Sequence, residues 1–159
     1  MRIISSSFVT LFFLQVLYAQ QPVPPDRETL LRGEGMGLAA YAERNGYPGP
    51  KHVLELKDTL RLTNDQIQIA EALVARVKDL AQNLGAQIVV KEEQLNALFA
   101  GQSSVEEDIL RLVLKEIGLL RSDLRFVHLQ AHLEMKETLN PDQRHLYALL
   151  RGHETTGHH

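Results

Sequence analysis

Three residues in the phrase "HLQAHLEM", His128, His132 and Met135, have the types and spacing to do chemistry. At positions i, i+4 and i+7 of a helix they share one stripe. Two imidazoles one turn apart can chelate a first-row metal, and a thioether adds preference for softer ions. Two ligands do not complete a site, so others must come from elsewhere in the chain. His52, with Glu55 one turn on, could supply them if its helix packs near the one that carries His128. The ordinary reading of the same stripe is a polar shoulder, because Arg121 and Arg125 precede the histidines on it. The C-terminal phrase "RGHETTGHH" adds His153, His158 and His159. A flexible tail would hold a metal weakly, since ordering it costs entropy. Zinc, nickel, cobalt and copper all suit these donors, and folding requires none of them.

An enzyme is not expected. The chain has no cysteine, no GxSxG and no HExxH, and its acids are spread along helix faces. Gly33, Gly35 and Gly37 suggest a phosphate-cradling loop, but no strand precedes them and no Lys-Ser/Thr or ribose-binding acid follows. They read instead as a flexible approach to a short helix over residues 38–44.

These donors need elements to position them. A chain of 159 residues suits one domain with a modest core. Only 6% of residues are aromatic and tryptophan is absent, which favours aliphatic helix packing over a base-stacking surface. Residues 1–19 read as an export signal: Arg2, the apolar "FVTLFFLQVL", then "LYA" before a mature start near Gln20. An uncleaved anchor is the other reading, but Ser5, Ser6, Ser7, Thr10 and Gln15 leave far fewer than the roughly 20 consecutive apolar residues of a span. Cleavage removes one of 17 basic residues and none of the 20 acidic ones, leaving a charge of −4. A mildly acidic chain without a basic patch is a poor nucleic-acid binder. Without cysteine the exported chain must rely on packing, and it cannot be a lipoprotein.

Residues 20–36, rich in proline and then glycine, read as a flexible N-terminal segment; residues 37–151 form the domain, and 152–159 the tail. After the turn cluster "NGYPGP", Pro50 opens a helix over residues 50–61 with Val53, Leu56 and Leu60 on one stripe. The phrase "LTNDQ" then has an echo in "LNPDQ". Thr63 and Asn140 fit helix N-caps, with Gln66 and Gln143 at N3 completing capping boxes and Leu62 and Leu139 as the apolar residues before the caps. The first box starts a helix over residues 63–100 whose Leu73, Val77, Leu80, Leu84, Ile88, Leu95 and Leu98 keep spacings near 3.5, broken once at Lys91. Gly101 stops it, and Ser104 with Glu107 offers a third box for a helix to about residue 138. The seam of that helix is Val113, Ile117, Leu120, Leu124, Val127 and Ala131. Two helices this long, joined by a few residues, are expected to fold back as an antiparallel hairpin with short flanking helices: an all-α fold. A short final helix covers residues 141–150.

A second heptad stripe, Leu112, Leu119, Phe126 and Leu133, lies on the same helix away from its seam. Short flanking helices could cover it; otherwise it is a dimer face or a surface for protein partners.

Leu62, Thr63 and Gln66 fully match the LTxxQ motif, while Leu139, Asn140 and Gln143 match it with an equivalent cap. Spaced about a long hairpin behind an export signal, the two phrases resemble the Spy/CpxP family, over roughly residues 50–150. The resemblance implies a periplasmic all-α cradle, often an antiparallel homodimer. Family members serve as ATP-independent chaperones of unfolded clients, as inhibitors of membrane sensor kinases, or as metal-binding stress-response proteins. The metal-sensing branch places a His-x3-His pair before the first motif and a His-x3-Met pair before the second. Here Met135 stands four residues before Leu139 as in that pattern, but Ala131 occupies the histidine slot, and only His52 precedes the first motif. The branch's metal site is therefore not carried over as a set.

Overall fold

The computed structural model describes residues 24–101 and 104–152. Six helices follow in order: α1 (Arg27–Arg32), α2 (Ala40–Arg44), α3 (Pro50–Glu55), α4 (Asn64–Ala100), α5 (Glu107–Thr138) and α6 (Pro141–Leu150). Among the described residues there is no strand, and no helix is long and apolar enough to cross a membrane. The fold is all-helical, and its body is α4 packed along α5.

Both predicted capping boxes are formed. The Thr63 hydroxyl accepts from the Gln66 amide at 3.2 Å, and the Gln66 side chain accepts from the Thr63 amide at 3.0 Å. Asn140 and Gln143 repeat this at 2.9 and 3.0 Å. Besides starting helices, the two glutamines hold each other. Gln66 Nε2 donates to Gln143 Oε1 at 2.9 Å and to the Thr138 carbonyl at 2.9 Å. Gln143 Nε2 donates to Gln66 Oε1 at 3.0 Å and to the Leu60 carbonyl at 3.2 Å. Each amide thus uses both donors and accepts twice, which is why a glutamine as buried as Gln143 is tolerated. The clasp ties the start of α4 to the junction of α5 and α6.

The third box does not form. The chain stays extended through Glu106, α5 begins at Glu107 without a side-chain cap, and Glu107 instead pairs with Arg111 one turn on. The helix opened by Pro50 is also shorter than expected. It ends at Glu55, and Arg61 adopts a left-handed φ of 50° as the chain turns toward the first motif. That turn presents the Leu60 carbonyl to Gln143, so the clasp needs a break where periodicity alone would continue the helix.

Leu73 and Ile88 of α4 and Val113, Ile117, Leu124 and Ala131 of α5 are buried, as the seam requires. Lys91, the break in the α4 stripe, pairs with Glu116 at 2.7 Å. Leu80, expected in the seam, is exposed, while Ala81, Gly85 and Val89 are buried in its stead. The reason is a second partner. Alpha-helix α1 lies on α4, and a Cβ at position 85 would stand 2.1 Å from the Leu30 carbonyl oxygen. Gly85 therefore permits backbone contact that any side chain would block, and Leu30 is buried there with Ala81, Ile88, Val89 and Leu124. Within the segment expected to be flexible through residue 36, Arg27–Arg32 is a docked helix, because Leu30 and Gly85 give it a seat.

Candidate functional site

The polar stripe of α5 is the seat of the N-terminal layer. Arg121 pairs with Asp26 at 2.9 Å and Glu92 at 2.8 Å, and Arg125 lies over the Tyr41 ring, 5.6 Å from its centroid. One turn on, a Cβ at position 35 would stand 3.7 Å from the His128 ring, and His132 Nδ1 lies 2.8 Å from the Tyr47 carbonyl oxygen. A carbonyl only accepts, so His132 Nδ1 donates a proton to it, and Nε2 is the ring nitrogen left for another partner. Lys136 continues the line, its ammonium 3.7 Å from the Tyr47 ring centroid.

Where α2, α3, α5 and α6 meet stands Glu43, which is not among the sequence-predicted site residues. The Tyr147 hydroxyl donates to its carboxylate, and Arg151 Nε donates to Oε1 at 3.2 Å. His52 Nδ1 is 3.4 Å from Oε1 and His132 Nδ1 is 3.7 Å from Oε2. The Gly49 amide donates to the Tyr147 oxygen at 3.3 Å, which fixes the start of α3 on α6. Burial works against the charged form of Glu43, but the Tyr147 hydrogen bond and the nearby His52, His132 and Arg151 outweigh it and hold the carboxyl below its usual range. For Tyr147, burial and the Glu43 hydrogen bond push the phenol well above its usual range.

His52, His128, His132 and Glu43 all line one open cleft of about 760 Å³, between the glycine-bearing loop after α1 and the α4–α5 surface. Burial, and then the proximity of His132, push the His128 pKa down, favouring the neutral ring. His52 Nδ1 and His128 Nε2 are buried atoms with no hydrogen-bond partner among the described residues. His52 Nδ1 does face the Glu43 carboxylate at 3.4 Å, whereas a neutral His128 ring offers a nitrogen that is a chemically competent metal donor. Among the described residues, no three His, Cys, Asp or Glu side chains already form a metal-sized group, so an ion would have to draw these rings together.

The predicted site residues therefore divide. His52 and His132 converge across 80 positions on one carboxylate, with His128 in the same cleft. Met135 does not join them: its side chain is fully buried in the core with Val53, Leu73, Leu139 and Tyr147. Glu55 is exposed on α3. His153, His158 and His159 lie outside the described residues. Leu112, Leu119, Phe126 and Leu133 are each between 51% and 59% exposed, so the short helices leave that stripe uncovered. Glu43 sits in a five-residue helix, too short to carry a periodic signal. The one hint was Tyr147 within the apolar phrase "LYALL", since a tyrosine buried there needs a partner for its hydroxyl.

Comparison of the chain with protein-family models, with curated proteins and with solved structures finds no match.

Proposed function

We propose that this chain is an exported, periplasmic, non-enzymatic protein of metal or envelope-stress response. Its cleft would bind a divalent transition metal through His52, His128 and His132 with Glu43 beside them. The observation that carries this reading is the convergence of His52 and His132 on Glu43, next to the buried His128 Nε2, which has no hydrogen-bond partner among the described residues. The His132 contact to the Tyr47 carbonyl supports it further, because metal-binding imidazoles are typically oriented by a bond from the other ring nitrogen to such an acceptor. In this reading α4 and α5 form an antiparallel hairpin of the Spy/CpxP kind. The cross-helix pairs Arg76–Glu134 and Lys91–Glu116 support that, the residue number rising on α4 as it falls on α5.

Calorimetric titration of the chain ending at Gly152 with zinc, nickel and copper tests the proposal. One saturable site, lost in His132→Ala and weakened in His52→Ala, is the expected result. Absence of saturable binding, or binding indifferent to both substitutions, would falsify it.

A second reading is favoured by the uncovered stripe Leu112, Leu119, Phe126 and Leu133. It makes α5 the face that binds protein: a second copy of the chain, an unfolded client or a membrane sensor protein. It predicts a dimer by light scattering that Phe126→Ser disrupts, or suppressed aggregation of a denatured client at equimolar dose. A monomer with no effect on aggregation would remove it.

A further inference from the structure

The cleft is far larger than an ion needs. A bound water occupies about 30 Å³, whereas the space bordered by His52, His128 and His132 is about 760 Å³. Its walls are not only donors for a cation. Lys51 of α3, next to His52, and Lys78 of α4 also line it. Among the described residues neither lysine has an ion-pair partner, whereas Arg32 on the same rim is already held by Glu28 and Glu34. Val74, Val77 and Leu38 add apolar surface, and the carboxylates in the lining, Glu34 and Glu43, are already engaged by Arg32 and Arg151. Metal donors, unpaired ammonium groups and apolar walls around one space describe a pocket for a cation bearing an organic anion.

We propose that the cleft takes its metal as a complex with a small polycarboxylate chelator, the imidazoles holding the ion while Lys51 and Lys78 take the ligand's carboxylates. The inference rests on the metal-binding reading above and names the form in which the metal arrives. It also gives the open rim a purpose: a chelated ion enters with part of its coordination shell occupied, so fewer protein ligands are needed to complete it.

Equilibrium dialysis of the chain ending at Gly152 against radiolabelled citrate, with and without equimolar zinc, tests it. We expect citrate to be retained at one per chain with zinc present and not with zinc absent. The Lys51→Ala/Lys78→Ala variant should lose citrate retention by about tenfold, the scale of two solvent-facing ion pairs, while binding zinc alone as the wild type does. Both lysines are exposed, so the variant is expected to fold. Zinc retained while citrate is left behind or strips the zinc away would overturn the chelate inference and leave the metal site standing. Retention of neither would overturn both. Citrate retained without zinc would overturn the role of the metal and show a plain anion pocket.

Discussion

Alpha-helix α5 carries two apolar stripes written in the same heptad grammar, and the fold treats them in opposite ways. Leu124 and Ala131 on one stripe are each 2% exposed, while Phe126 and Leu133 on the other remain more than half exposed. Nothing in the local spacing separates them. What does is which side of α5 meets α4 and which polar shoulder receives the N-terminal layer. Periodicity locates a stripe; only the rest of the chain decides whether it has a partner.

Substitutions on the two stripes should therefore differ in effect. Leu124→Ala opens a cavity between α4, α5 and Leu30 and should cost about 3 kcal/mol in urea denaturation. Gly85→Ala comes next: its methyl must displace the Leu30 backbone, costing about 2 kcal/mol. It should also speed amide exchange in α1 while leaving α5 protected. Gln143→Ala leaves the Leu60 carbonyl, the Asn140 amide and Gln66 each short of a bond, for about 1.5 kcal/mol. Phe126→Ser should change monomer stability by less than about 0.5 kcal/mol. A large loss there would mean that this stripe is buried in solution and that the contrast is false.

Acid should probe the cleft side of α5. His128 has its pKa held below the ordinary 6.5, so the unfolded chain takes up that proton first, and the stability due to the neutral ring is lost as pH falls below that value. Glu43 and Asp26 are held below the ordinary 4.5 and 3.8, so their contribution is present above those values and lost as pH falls through the lowered ones. Urea midpoints at descending pH should fall in two stages, and His128→Asn should remove only the first.

How much of this was legible beforehand follows from the range of each contact. The capping boxes at Thr63 and Asn140 are local and were readable, as were the two long helices and most of their seam. The clasp between Gln66 and Gln143 joins the repeated phrases across 77 positions, so the repeat was visible but its bond was not. Leu30 on Gly85 left no trace in the sequence, because a lone Leu30–Leu31 pair in a proline- and glycine-rich segment has no period. The site was half legible. The histidines announced themselves by spacing, Met135 satisfied the same spacing yet belongs to the core, and Glu43 acquires its role only when four helices meet.

The cleft's assignment is tested most directly by X-ray absorption at the zinc edge on the zinc-loaded chain ending at Gly152. We predict one zinc per chain with two or three imidazole nitrogens at about 2.0 Å and oxygen completing the shell. A spectrum with oxygen ligands alone, or one unchanged in the His52→Ala/His132→Ala variant, would contradict the account.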